Sequence, residues 1–123
     1  NVIGGFGNDT IIANGSVNVV AGGAGNDNFV FNSASAADGD HVTDFQAGDK
    51  IDLRGIASNY DFGGDGNFDV LENATTFTQA GQVILRNDGN DVIVEGNVDD
   101  DAEADFAIRI SGKSDLNSSD FVD

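Results

Sequence analysis

Gly4-Gly5-Phe6-Gly7-Asn8-Asp9-Thr10-Ile11-Ile12 and Gly22-Gly23-Ala24-Gly25-Asn26-Asp27-Asn28-Phe29-Val30 decide how this chain is read. Both fit the nonapeptide G-G-x-G-x-D-x-U-x, where U is a large apolar residue. The nine residues between them, Ala13 to Ala21, read A-N-G-S-V-N-V-V-A. That middle unit carries Asn18 where the others carry Asp, and keeps Val20 at the apolar position. The frame therefore runs unbroken through three units, from residue 4 to residue 30.

Each unit has a physical logic. Its glycines let the backbone take positive φ and turn tightly, so that carbonyls can crowd around an ion. Its Asp supplies the hard anionic oxygen that calcium prefers. Its last three residues form a short strand with the apolar side chain inward. Two units make one coil, so units two apart stack on the same side. Asp9 and Asp27, 18 residues apart, are thereby brought face to face.

Composition agrees with a cation-dependent fold. The 123 residues hold 22 acidic and five basic side chains, a formal charge of −17. Self-repulsion of that size opposes compaction unless counter-charge is supplied. It also disfavours nucleic acid, whose binding needs a basic surface. Apolar residues make up 39%, enough for one domain with a modest core. There is no Cys, hence no disulfide and no thiolate metal site, and bound metal is the usual substitute source of rigidity. No apolar run is long enough to span a membrane, and no removable secretory signal is visible. Because it begins inside a repeat, the chain reads as a piece of something longer.

Past residue 31 the repeat pattern stops. Gly48-Asp49 marks a turn before an apolar-alternating strand, and Asn59 to Asp69 reads as loop. Gln82–Arg86 and Asp91–Glu95 flank Asn87-Asp88-Gly89-Asn90, a hairpin signal. Phe106, Ile108 and Ile110 alternate with Ala107 and Arg109, as in a half-buried strand. No window has a convincing helical period, although Leu116 to Phe121 has room for one turn.

Three stretches together resemble the RTX (repeats-in-toxin) family, in particular the C-terminal domain of serralysin-type proteases. They are the two G-G-x-G-N-D units, the run D-H-V-T-D-F-Q-A-G-D-K-I-D-L from Asp40 to Leu53, and the ending A-D-F-A-I-R-I-S-G with S-S-D-F-V. The resemblance implies an all-β fold, a short parallel β-roll continuing into an antiparallel β-sandwich. A single domain spanning 1–123 is expected, with the roll over 1–39 and the antiparallel part over 40–123. It also implies a secreted, extracellular, bacterial protein, exported by a type I secretion transporter through an uncleaved C-terminal signal and folding when it meets calcium outside. Similar modules sit behind proteases, lipases, alginate-modifying enzymes and adhesins.

The ligand set that the resemblance implies is Gly5, Gly7 and Asp9 from one loop with Gly22, Ala24 and Asp27 from the facing loop: carbonyls from the glycines and the alanine, carboxylates from the aspartates. Asp40 and Asp49 match acidic positions that flank the end of the roll, and read either as ligands of a further ion or as plain strand-turn acids. The middle unit, facing Phe31 to Gly39, is expected to hold no ion. Asp61 to Glu72 nearly fits an EF-hand loop, but Gly63 occupies a ligand position and an ordinary acidic loop is the simpler reading. The run from Asp99 to Asp105 reads as a solvated acidic surface.

No complete catalytic constellation is present. His41 has no H-E-x-x-H partner, and there is no G-x-S-x-G elbow. Gly112-Lys113-Ser114 copies only the end of a P-loop, with Ala107 where its first Gly belongs. A non-catalytic, monomeric calcium module of a larger secreted protein is the expectation. The competing one is a polysaccharide-binding or adhesin module, which would need Lys50, Arg54, Arg86, Arg109 and Lys113 to cluster or calcium to bridge.

Overall fold

The computed structural model describes residues 2–13, 17–60, 62, 66–72, 74–99, 101–113 and 115–122. The repeats fold as four short strands, β1 (Val2–Ile3), β2 (Thr10–Ala13), β3 (Val19–Ala21) and β4 (Asn28–Phe31), followed by β5 (His41–Val42) and β6 (Lys50–Asp52). Odd and even strands go to different sheets: β1, β3 and β5 pair in parallel in one, and β2, β4 and β6 in the other. A chain that alternates between two parallel stacks has the connectivity of a roll. The apolar repeat positions Ile11, Val20 and Phe29 are all buried between the sheets.

Parallel pairing continues past residue 39 with a longer step. Val2 pairs with Val20 and Thr10 with Asn28, a spacing of 18, whereas Val19 pairs with His41 and Asn28 with Lys50, a spacing of 22. The additional residues are accommodated where α1 (Ala34–Ala37) forms a single turn. Ser33 starts it as N-cap, its hydroxyl accepting from Ala36 N–H at 3.1 Å, and alanines propagate it. A second turn, α2 (Arg54–Ala57), follows β6.

Downstream, β7 (Asp69–Leu71), β8 (Gln82–Asp88), β9 (Asp91–Asn97) and β10 (Phe106–Ile110) complete a seven-stranded sheet of order β1-β3-β5-β10-β9-β8-β7. β8, β9 and β10 are antiparallel, and the expected hairpin turns at Gly89-Asn90. β10 joins β5 in parallel and β7 joins β8 in parallel, so the antiparallel part is welded edge to edge onto the roll. Phe106, Ile108 and Ile110 are buried, as their alternation predicts. Ile11, Phe29, Phe31 and Ile51 of the small sheet meet Val20, Val42, Val92, Val94 and Ile108 of the large one in a single core.

The C-terminal segment packs onto that core. A 3-10 turn (Ser118–Asp120) is closed by a capping box with Asn117, and Phe121 then bridges in parallel to Ile51. Val122 N–H donates to the Ile51 carbonyl at 2.8 Å, so the tail lies along β6 as a further edge of the small sheet.

Candidate metal centre

The loops 4–9 and 22–27 stack directly on each other. Ala24 N–H donates to the Gly5 carbonyl at 3.1 Å, Asn28 N–H to the Asp9 carbonyl at 2.8 Å, and Asp9 N–H to Asp27 Oδ1 at 2.9 Å. This contact needs glycine. Gly23 and Gly25 have φ of 83° and 106°, and a Cβ on them would lie 2.1 Å and 2.2 Å from the carbonyl oxygens of Gly5 and Gly7. The six expected ligand residues are thus brought together in two facing loops.

The remaining carboxylate oxygens are what make the place chemically unusual. Asp9 Oδ2 and Asp27 Oδ2 are buried and have no hydrogen-bond partner. A Cβ on Gly4 would sit 2.7 Å from both Asp9 Oδ2 and the Gly22 carbonyl oxygen, so these two oxygens flank one small space. A Cβ on Gly22 would likewise come within 2.2 Å of Asp27 Oδ2. Buried anionic oxygens without partners are costly, because burial removes hydration that nothing replaces. An oxygen-lined cradle of carboxylates and carbonyls with no soft donor fits a hard cation such as calcium.

Asp40 and Asp49 continue the ladder. Asn18 N–H donates to Asp40 Oδ1 at 2.7 Å, and Asp27 N–H to Asp49 Oδ1 at 2.9 Å. Both side chains are fully buried, and burial pushes both carboxyls above their ordinary value. They differ in what remains. Asp49 Oδ2 accepts from Gln46 N–H at 3.0 Å and closes the turn, whereas Asp40 Oδ2 has no hydrogen-bond partner. The unit facing Asn18 therefore ends in a carboxylate with an unused oxygen.

Two residues of this region escape a reading of the sequence. Asp44 accepts Gly22 N–H at 2.9 Å and Gly23 N–H at 2.8 Å on its two oxygens, and Gln46 Nε2 donates to the Gly23 carbonyl at 2.9 Å. Side chains here take the backbone groups of the second loop. The signal is the 22-residue step, which aligns Asp44 to Asp49 with Gly22 to Asp27, and it appears only once the additional residues near α1 are counted.

Elsewhere, Asp99, Asp101 and Asp105 have carboxylate oxygens within 4.8 Å of one another, in the run read as a solvated surface. Asp99 and Asp101 are exposed, and Asp105 Oδ2 accepts Val98 N–H at 2.8 Å. Of the EF-hand-like stretch, Asp61 and residues 63–65 lie outside the described residues, and Glu72 Oε2 accepts Ser118 N–H at 2.7 Å. Ser114 is likewise undescribed, and Lys113 pairs with Asp120 at 2.8 Å. His41 Nε2 lies 2.7 Å from Ser111 Oγ across the β5–β10 seam. Arg54 pairs with Asp52, Arg86 with Glu95, and Arg109 with both Asp88 and Asp91, while Lys50 bonds the Ser119 carbonyl. Each of the five cations is thus engaged by a carboxylate or a carbonyl, and Arg86 and Arg109, both in register with Ile93, line one pocket with Asp40. Among the described residues no helix is long and apolar enough to cross a membrane.

The whole chain, residues 1–123, matches the family model for the peptidase M10 serralysin C terminal. The chain belongs to the serralysin C-terminal family. That family is a non-catalytic module of the RTX type, associated with proteases secreted by type I systems. No curated protein matches the chain.

Proposed function

We propose that this serralysin C-terminal domain is a calcium-driven folding module, closing on the ion outside the cell and supporting the export and stability of the secreted protein that carries it. The observation that carries the reading is the set of buried carboxylate oxygens without partners at Asp9 and Asp27, set among glycine carbonyls in two stacked loops. Gly5, Gly7, Asp9, Gly22, Ala24 and Asp27 are the residues that would hold the first ion. Asp40, with its unused oxygen, is the stronger candidate for a further one than Asp49, whose two oxygens already accept backbone N–H groups. When bound, the ion supplies positive charge that offsets buried carboxylates, so its binding free energy becomes folding free energy.

The reading makes the domain a structural part of its parent, secreted and non-catalytic, with the type I transporter as its partner during export. Titration calorimetry of the chelator-treated chain tests it: calcium should give saturable binding, and magnesium at the same concentration should not reproduce it, because a flexible carbonyl-rich loop pair suits the larger ion. Absence of calcium heat, or equal binding of both ions, would overturn it.

A further inference from the structure

Arg86 and Arg109 meet on the outer face of the large sheet. β10 turns Phe106, Ile108 and Ile110 into the core, so Ala107 and Arg109 face the other way. Arg109 and Arg86 both lie opposite Ile93, one on each side of it in the order β10-β9-β8. With Gly39, Asp40 and Ala107 these three residues line an open pocket of about 270 Å³. Ile93 is only 6% exposed, whereas the Arg86 and Arg109 side chains are 55% and 40% exposed.

The two guanidinium groups differ in what they have left to give. Arg109 donates through Nη1 to Asp91 and through Nη2 to Asp88, both at 2.8 Å. Among the described residues Arg86 donates only through Nε, to Glu95 at 3.2 Å. Its two Nη groups therefore remain as a planar fork, the geometry that takes a carboxylate on two parallel N–H bonds. Ile93 and Ala107 offer apolar contact in the same pocket.

From this we propose that the pocket binds the free carboxyl end of a peptide, with the carboxylate on the Arg86 fork and an apolar last side chain against Ile93 and Ala107. The chemistry selects that occupant. The fork asks for a carboxylate. The volume lies just below the ~300 Å³ at which pockets for drug-sized ligands begin, so it takes about one or two residues of a peptide and no more. An acid sugar needs polar partners for each hydroxyl, and three of the six lining residues, Gly39, Ile93 and Ala107, have no polar side-chain atom. The family's association with secreted proteases puts peptide ends at hand, since each peptide bond hydrolysed leaves one carboxylate. Asp88, Asp91 and Glu95 sit on the two guanidinium groups and Asp40 lines the pocket, so like-charge repulsion keeps the affinity low and the binding reversible. The inference does not rest on the calcium ligands of the stacked loops.

Heteronuclear NMR of the full chain in saturating calcium tests it, following the Arg86 Nε–H and Ile93 methyl signals during titration with N-acetylleucine and with its neutral amide, N-acetylleucinamide. The acid should give a saturable shift with a Kd on the order of millimolar, and the amide should bind at least about tenfold more weakly. Arg86→Gln, at a largely exposed side chain, should weaken the acid by about tenfold or more, with the Ile93 methyl as the remaining reporter. Glu95→Gln releases Arg86 Nε and removes a competing charge, so it should tighten binding by about threefold, a gain that a purely structural Arg86–Glu95 pair does not produce. Equal binding of acid and amide, no saturable shift, or a Glu95→Gln chain that binds no tighter would overturn the site. Glucuronate binding as tightly as N-acetylleucine would overturn the peptide end as its ligand in favour of an acid sugar.

Discussion

At the scale of single residues, the account turns on which oxygens of the stacked aspartates are already used. Asp27 gives one oxygen to the N–H of Asp9 and keeps the other buried and free. Asp9 Oδ2 is buried and free in the facing loop. If both serve one ion, as proposed, replacing either with Ala should remove the same calorimetric event, and the double replacement should add little. The loss in affinity should be on the order of a hundredfold or more, since even outer partners of metal ligands account for about 10–100. Two independent, additive losses would mean that the loops bind separately. Asp52 offers a different test, away from the ion. Arg54 donates to it from Nε at 3.0 Å and Nη2 at 2.9 Å, and these bonds hold its carboxyl below the usual value. A depressed carboxylate contributes stability above its unfolded pKa of about 4, and loses it as pH falls through the lower folded value. With Arg54 half exposed, Asp52→Asn should cost only about 1 kcal/mol near neutrality. In saturating calcium the variant and parent denaturation midpoints should converge toward pH 3.

Among the elements, the strands of the repeats and the hairpin were legible because their signals are periodic: Ile11, Val20 and Phe29 recur at nine-residue intervals, and Gly89 punctuates two β-branched runs. α1 was not, since a four-residue turn spans little more than one helical period and leaves no pattern. Its cost to the reading went beyond one helix. The 22-residue step hides the match between Asp44–Asp49 and the second glycine loop, and with it the capping roles of Asp44 and Gln46. The stacking of the Asp9 and Asp27 loops could be read because they keep the glycines that it requires, whereas the burial of Asp40 depends on long-range packing. Cross-strand packing in the antiparallel part is equally invisible in sequence. Gly96 lies opposite Phe106 in the β9–β10 register, and a Cβ on it would meet the ring at 2.1 Å. Gly96→Ala should destabilise the domain by about 2 kcal/mol, read from denaturant unfolding in calcium, because the buried Phe106 has no room to retreat. A neutral substitution would mean that the ring shifts freely.

For the molecule as a whole, the charge of −17 and the two-sheet core set up opposing tendencies. Repulsion among 22 acids favours an open chain, and burial of the shared core favours the closed one. The tail belongs to the closed form: Phe121 is buried against β6, and Asp120 is held by Lys113 and by Asn117 N–H. Deleting residues 115–123 from the parent protein should stop export in a host with the matching transporter while calcium binding at the stacked loops persists. Export at the normal rate would leave the tail a purely structural edge strand. The claim on which all of this rests is that calcium drives folding, and far-ultraviolet circular dichroism of the chain in chelator and in millimolar calcium tests it most directly. A coil-like spectrum in chelator that converts to a β spectrum with calcium is the predicted result. The same β spectrum in both conditions would contradict it.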